Sequence, residues 1–286
     1  MGNEINHLMS SEELRQLKAV ELKMLIAFIE ICQKHQLRYF LLGGTLLGAV
    51  RHGGFIPWDD DIDVGMPRPD YEKFLQIAPT ELTADYFLQN HQSDPEYPQC
   101  FSKIRDSSTT FIETSCKNLH INHGVYIDIF PLDGCPEQSK IKKYYQSIKL
   151  RQIRISNSLY LPSQNLQSLA KNLIRRFTVL RYPNLKKTIR LQDEAYKKYS
   201  YDASESVANY GGAWGMKEIM PRSYFGKGVS GTFEGITVTL PEKYDAYLTH
   251  CYGDYMTPPP PEQQVGHHYC TVVDLNQPYQ KYMGYK

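Results

Sequence analysis

Residues 43–66 read GGTLLGAVRHGGFIPWDDDIDVGM, and this stretch governs both the fold and the chemistry that we expect. An apolar strand pattern follows a cluster of four aspartates: Asp59, Asp60, Asp61 and Asp63. Alternate side chains of a strand share a face, so Asp61 and Asp63 are predicted to point the same way, joined by Asp59 if the strand begins early. Carboxylates this close repel each other, and a bound hard cation such as Mg²⁺ removes that repulsion. A glycine pair opens the stretch and lets the backbone approach a phosphate closely, so the pattern indicates metal-assisted phosphoryl chemistry.

The sequence around this stretch predicts alternating helices and strands. Apolar residues at helical spacing follow a capping-box pattern at Ser10 to Glu13, which is typical of the start of a helix. Short apolar runs bounded by glycine or proline are typical of buried strands. The predicted elements are helix 11–35, strand 37–42, helix 45–52, strand 61–66, helix 70–78, one or two strands in 232–240 and helix 241–252.

A second strand pattern, at residues 124–131, carries an aspartate among apolar residues. Its alternation places Asp128 on one face with Tyr126 and Phe130. A carboxylate in the middle of such a strand is unfavourable unless it has a partner. Two interpretations stay open: Asp128 completes a metal site with Asp61 and Asp63, or it points to solvent at the end of its strand. Two-metal phosphoryl transfer needs carboxylates that hold two cations about 4 Å apart, and three aspartates from two strands supply them.

Several residues are predicted to contact phosphate. Residues 99–113 predict two strands around a turn, with Lys103 and Arg105 alternating on the first. Their cationic side chains suit the oxygens of a diphosphate, although charges also protect an exposed edge strand. Arg51 is a further candidate. The backbone and hydroxyl groups of three consecutive residues complete the predicted phosphate site: Gly43, Gly44 and Thr45.

Four residues are candidates for contact with the rest of the substrate. Trp58 is predicted to stack on a base or to face a quaternary ammonium, with a place in the core as the alternative. Tyr255 belongs to a later aromatic and proline-rich segment. His267 and His268 are candidate substrate ligands or general bases, because a histidine titrates near neutral pH.

Composition restricts the class of protein. A chain of 286 residues with 41% hydrophobic and 22% charged residues is typical of a globular protein, and its net charge of +1 does not favour a nucleic-acid partner. The six cysteines include no Cys-x-x-Cys pair, so we expect reduced thiols. The sequence contains neither a stretch of about 20 apolar residues nor a secretory signal pattern, and we expect a cytoplasmic protein.

The charge is distributed unevenly along the chain. Residues 138–198 contain 15 basic and two acidic residues, a net charge of +13, so the remainder carries −12. A solvated helical face would explain this segment, but the asymmetry favours a surface for a polyanion or for the inner face of an anionic membrane. We therefore predict a catalytic core at 1–135, a basic helical insertion at 136–210 and a C-terminal part at 211–286 that packs on the core.

The stretch 43–64 resembles the signature of the LicD family, phosphocholine transferases related to the fukutin-type ribitol phosphate transferases. The similarity extends through shorter motifs at residues 101–106, 124–133, 233–235 and 252–259. It implies an α+β, polymerase-beta-like nucleotidyltransferase fold with a mixed sheet core and a helical, basic insertion.

The same resemblance implies a metal site and substrates. It implies Mg²⁺, with Mn²⁺ as an alternative, held by Asp61, Asp63 and Asp128. It also implies a donor such as CDP-choline or a related CDP-alcohol, a glycan or lipid-linked acceptor, and CMP as the leaving group.

Two other functions remain as hypotheses. The same fold serves nucleotidyltransferases that release pyrophosphate, and product analysis separates that reaction from CMP release. A Ca²⁺-binding adhesion or scaffold module would use the aspartates structurally, but the sequence lacks the spacing of an EF-hand.

Overall fold

A computed structural model describes His7 and residues 9–159, 185–266 and 269–283. The described helices are α1 Ser11–Lys34, α2 Gly43–His52, α3 Arg68–Glu81, α4 Gln138–Leu159, α5 Leu185–Tyr196 and α6 Tyr244–Tyr252. The described strands are β1 Phe40–Leu41, β2 Asp63–Pro67, β3 Tyr86–Gln89, β4 Ser102–Asp106, β5 Thr110–Glu113, β6 Val125–Gly134, β7 Ser206–Ala208, β8 Ile219–Pro221, β9 Val229–Phe233, β10 Ile236–Leu240 and β11 Cys270–Asp274. None of the described helices combines the length and the apolar character that a membrane crossing requires.

A mixed sheet forms the centre of the fold and confirms the predicted α+β class. Five strands follow the order β1-β2-β6-β4-β3, and β7 and β8 extend the sheet from β6. The pair β2 and β6 is parallel, whereas the other neighbours in this sheet are antiparallel. Helices α1 and α3 pack on these strands and on each other. Their contacts bury the apolar residues that give the sheet its core.

The first helix begins as predicted. Ser10 accepts a hydrogen bond from the backbone N–H of Glu13, and the Glu13 side chain accepts one from the backbone of Ser10, which completes a capping box. Leu17, Met24 and Phe28 lie in the buried stripe of α1. Full burial of each such side chain stabilises the fold by about 1.5–3 kcal/mol.

Two predicted strand boundaries were wrong. The strand expected at 61–66 begins at Asp63, because residues 59–61 follow a turn in which the Asp59 N–H donates to the Ile56 carbonyl. Asp61 therefore precedes the strand, and its position beside Asp63 does not come from strand alternation. The strand expected at 37–42 is reduced to Phe40 and Leu41.

The strands predicted in 99–113 exist, but they do not pair with each other. Strand β4 pairs with β3 and β6, whereas β5 pairs with β11. The turn between β4 and β5 is closed by the Thr109 N–H, which donates to the Asp106 carbonyl, and it directs β5 away from the central sheet. Strand β11 was not predicted, and its distance along the chain from β5 hides the pairing from local patterns.

The described part of the basic segment is helical, as predicted. Helices α4 and α5 pack on each other and form a separate apolar cluster with Tyr210 and Cys135. A buried ion pair also connects this region with the core: Arg68 of α3 holds Asp133 of β6 at 2.5 Å and Asp193 of α5 at 3.3 Å. Residues 160–184 of the predicted insertion lie outside the described residues. The proposed division of the chain into three parts stays a prediction.

Candidate active site

A cavity of about 270 Å³ lies where β2, β4 and β6 meet the loop at residues 209–214. The polar residues that line it are mainly acidic: Asp61, Asp63, Glu113, Asp128 and Glu218. Lys103 is the one cation among the described residues that line the cavity, and Phe101, Phe130, Trp214 and Tyr247 supply its aromatic surface. An acidic cavity with a single lysine suits a cation together with the phosphate that the cation neutralises.

The sheet register brings the predicted acids together. Asp63 of β2 and Asp128 of β6 are direct partners in the parallel pair, so their backbones are separated by one interstrand spacing of about 4.8 Å. Asp61, two residues before Asp63, lines the same cavity. Asp128 therefore faces the cavity, and the alternative in which it points to solvent is wrong, since it is 6% exposed.

The glycine pair at the start of α2 fits tightly against two of the aspartates. Gly43 has a positive φ of 50°, and a Cβ at Gly44 would lie 2.5 Å from Oδ2 of Asp59. Thr45 was predicted to bind phosphate through its hydroxyl. Instead it is buried and its hydroxyl accepts the backbone N–H of Asp63 at 2.8 Å, so it positions the acid.

Lys103 lies between two acidic groups of the cavity. Its Nζ is 3.1 Å from Oδ1 of Asp128 and 3.5 Å from Oε1 of Glu113, and it lies over the ring of Tyr126. Lys103 also lines the cavity, which is the position that a phosphate ligand requires.

The prediction for Arg105 requires a correction. Its guanidinium is fully buried and donates to Gln89, to the carbonyl of Gly124 and to Glu113. Arg105 is absent from the cavity lining and its N–H groups are taken up by these partners, so its observed role is to hold Glu113 in place. This position does not favour the predicted contact with a donor phosphate.

Three other candidates lie outside the cavity lining. Arg51 donates to the carbonyl of Tyr255 at 2.7 Å, and the Tyr255 hydroxyl donates to Asp245. Trp58 packs against the main core and meets His52 edge to face, which agrees with the core alternative. His267 and His268 lie outside the described residues.

A second acidic group adjoins the cavity. Carboxylate oxygens of Asp59, Asp60 and Asp61 all lie within 4.8 Å of one another. Glu21 of α1 is 2% exposed, and its Oε2 has no hydrogen-bond partner among the described residues. Burial, reinforced by the three aspartates, raises the pKa of Glu21 well above its usual range. Glu21 was missed in the sequence, although its place four residues after Leu17 in an apolar stripe is a readable signal.

The donor atoms around the cavity fit a hard divalent cation. Asp61, Asp63 and Asp128 offer carboxylate oxygens, which Mg²⁺ and Mn²⁺ prefer, and Asp61 also belongs to the group formed with Asp59 and Asp60. The carboxylate oxygens of Asp61, Asp63 and Asp128 do not form a group in which all lie within 4.8 Å of one another, as those of Asp59, Asp60 and Asp61 do. Asp128 is instead paired with Lys103.

Two lining residues, Trp214 and Glu218, were missed entirely in the sequence. They lie in and beside a short turn, Gly215–Glu218, that follows no strand or helix pattern. The structure buries Glu218 to 6% exposure, and burial raises its pKa to about 7. The glycine pair at 211–212 is the one local sequence signal for this part of the site. Like Gly43 and Gly44, it lets the backbone lie close to a carboxylate of the cavity.

Known proteins are similar in sequence to this chain. Residues 36–173 match the family described as LicD/FKTN/FKRP, nucleotidyltransferase domain. Lipopolysaccharide cholinephosphotransferase LicD from Haemophilus influenzae is 32% identical over 260 residues, which cover 89% of this chain and 96% of that protein. Ribitol 5-phosphate transferase FKRP is 25% identical in Mus musculus and 26% in Homo sapiens, over 51% of this chain and 27% of either relative.

These likenesses and the acidic cavity define an enzyme of the phosphotransferase class. Within that class, the chain belongs to the LicD/FKTN/FKRP family.

Proposed function

We propose that this enzyme transfers phosphocholine from CDP-choline to a cell-surface glycan precursor and releases CMP. The observation that carries the proposal is the pairing of Asp63 with Asp128 across two parallel strands at one cavity. Similarity to a lipopolysaccharide cholinephosphotransferase over almost its full length supports choline phosphate as the group transferred.

Asp61, Asp63 and Asp128 would hold Mg²⁺, as one ion or two. The metal, when bound, supplies positive charge to the donor diphosphate and to the leaving CMP. Thr45 fixes the backbone of Asp63, and Lys103 sets a second positive charge beside Asp128. The chain's own contribution is therefore to orient the acids before the donor arrives.

The start of α2 is the proposed phosphate site. Gly43 lines the cavity, and the first N–H groups of a helix favour an anion. The Gly43 N–H donates to the Tyr247 hydroxyl at 3.2 Å and Thr45 is buried, so we assign the donor phosphate to the N–H group of Gly44, which is half-buried.

The aromatic side of the cavity suits a quaternary ammonium. Trp214 is 48% exposed and meets the ring of Tyr252 edge to face at 5.0 Å. An exposed indole face attracts a trimethylammonium group, which ribitol and glycerol lack. This surface favours choline over ribitol or glycerol, the alternative alcohols of the donor.

The basic helices are the proposed acceptor side. Tyr145 and Lys149 of α4 adjoin the Gly215–Glu218 turn: a Cβ at Gly215 would lie 3.5 Å from the Tyr145 hydroxyl. Helix α4, the first part of the segment with a net charge of +13, therefore reaches the cavity wall. There the segment would bind a phosphate-bearing or lipid-linked glycan such as a teichoic acid or lipopolysaccharide precursor.

Product analysis tests the proposal directly. The protein is incubated with Mg²⁺ and, in turn, CDP-choline, CDP-ribitol and CDP-glycerol, and CMP and pyrophosphate are measured. We expect CMP from CDP-choline at a kcat/KM at least about tenfold above the other donors, as the loss of one cation–π contact predicts. Pyrophosphate release, or CMP from none of the three donors, would contradict the proposal.

A further inference from the structure

Glu218 is a buried carboxylate on the cavity wall. It lines the same cavity as Asp61, Asp63 and Asp128. Its Oε1 accepts the backbone N–H of Trp214 at 3.2 Å, and a Cβ at Gly212 would overlap the carboxylate. The loop is thus built around this side chain, which is fixed in place before any substrate binds.

The other carboxylates of the cavity already have partners or a proposed task. Glu113 is held by Arg105 at 2.8 Å and by Lys103 at 3.5 Å, so its negative charge is offset. Asp61, Asp63 and Asp128 form the proposed metal site. Glu218 remains as the acid on the wall next to α4, where the acceptor is proposed to enter.

The groups around Glu218 favour a carboxyl that titrates near neutral pH. The titratable side chains that face it or adjoin it are Tyr145 and Lys149 on α4, Lys217 on its own turn, and Tyr247, Cys251 and Tyr252 on α6. Burial raises the pKa values of the tyrosines and of Cys251, which stay neutral. The attraction of Lys149 is smaller than the effect of burial, and the pKa of Glu218 is raised to about 7.

We propose that Glu218 is the general base that accepts the proton of the acceptor hydroxyl; this inference rests on the proposed function. The acceptor oxygen forms a bond to the phosphorus that bears choline, and the bond from that phosphorus to the CMP oxygen breaks. The electron pair of the broken bond leaves with CMP. The acceptor proton passes to the Glu218 carboxylate and from there to solvent.

The variant Glu218→Gln tests this role without removing the loop's internal bond. The Gln oxygen still accepts the Trp214 N–H, but the amide does not act as a base. CMP release from CDP-choline with Mg²⁺ is measured from pH 5.5 to 9, with a panel of methyl hexosides. Release to a sugar hydroxyl and release to water are both counted, so the measurement does not depend on knowledge of the natural acceptor.

For the wild-type protein we expect kcat/KM to rise with pH through about 7 and then level off, since the carboxylate is the active form. Glu218→Gln should lower it about 10²–10⁴-fold and abolish the rise near pH 7. The affinity for CDP-choline, measured by calorimetry, should change less than twofold. Glu218→Asp, which keeps a carboxylate, should restore part of the rate and the rise with pH.

A matched control is Glu242→Gln. Glu242 also accepts a backbone N–H, from Lys227, beside a glycine, but it is exposed and lies outside the cavity lining. Its substitution should leave rate and pH profile unchanged. A Glu218→Gln enzyme that keeps the rise near pH 7, or loses activity only through weaker donor binding, would overturn the proposal while the proposed function stands. Absence of wild-type turnover with every CDP-alcohol would instead overturn both.

Discussion

Single side chains hold the acids of the cavity in position. The Thr45 hydroxyl accepts the N–H of Asp63, and Lys103 lies 3.1 Å from Asp128. Removing one partner of a buried ion pair leaves an uncompensated charge and destabilises a protein more than the pair itself stabilises it. The side chains next to the acids therefore matter for both stability and activity.

Glu21 offers a stability test at the scale of one residue. Because burial raises its pKa above the ordinary value of 4.5, the folded protein binds this proton more tightly than the unfolded chain does. Its stabilising contribution is present below pH 4.5 and is lost as the pH rises through the folded pKa. We expect Glu21→Gln to raise the free energy of unfolding at pH 8, because the neutral amide does not have to be protonated on folding.

Urea denaturation in EDTA, at pH 4.5 and at pH 8, measures this difference. The increase in the free energy of unfolding caused by Glu21→Gln should shrink toward zero at pH 4.5. Glu30→Gln, at an exposed position of the same helix, serves as the control and should change stability little at either pH. A Glu21→Gln protein that is less stable than the wild type at pH 8 would show that the carboxylate is charged and paired.

At the scale of elements, local patterns predicted helices better than strands. The capping box and the apolar stripe of α1 are short-range signals, so the observed helix 11–34 differs from the prediction by one residue. The pairing of β5 with β11 joins residues about 160 positions apart, and no local pattern reports such a contact. The start of β2 was misplaced because four aspartates in sequence do not show where a turn ends.

Among the predicted site residues, too, local patterns identified some positions and failed for those that depend on tertiary packing. Asp128 could be placed by strand alternation, whereas Arg105, two residues from Lys103 on the same strand, could not be separated from it. Alternation gives the face of a residue but not its depth, and Arg105 lies below the cavity wall. Glu218 depends on a loop whose position comes from tertiary packing alone.

The basic helices α4 and α5 provide a test at the element scale. Lysines at 142, 143, 186 and 187 are exposed, and reversing all four to glutamate should weaken binding to phosphatidylglycerol vesicles by at least about 100-fold at low salt. Donor hydrolysis should be unaffected, because these residues do not line the cavity. Sedimentation with vesicles measures the binding.

Reversal of four exposed lysines elsewhere gives a matched control with the same change in net charge: Lys23, Lys227, Lys243 and Lys281. If both variants lose binding equally, net charge alone accounts for it. If neither loses binding, the basic helices do not contact an anionic membrane.

At the scale of the whole molecule, buried charges connect regions that lie far apart in sequence. Arg68 pairs with Asp133 and Asp193, and through them α3, β6 and α5 meet at one point. Asp133 belongs to one of the motifs that resemble the LicD family, and its full burial gives it a structural role. Family motifs thus contain residues of the framework as well as residues of the cavity.

The central claim is that Asp63 and Asp128, direct partners on two parallel strands, hold the divalent cation together with Asp61, which precedes the first of these strands. Mn²⁺ titration followed by electron paramagnetic resonance, in the presence of CDP, measures this site in the intact chain. We expect Asp63→Asn and Asp128→Asn each to weaken Mn²⁺ binding at least about tenfold, since each would remove one anionic ligand. The circular dichroism spectra of both variants should match that of the wild type. Asp60→Asn, from the neighbouring acidic group, should have a much smaller effect. Unchanged Mn²⁺ affinity in the Asp63 and Asp128 variants, with loss of binding in the Asp60 variant, would contradict the account.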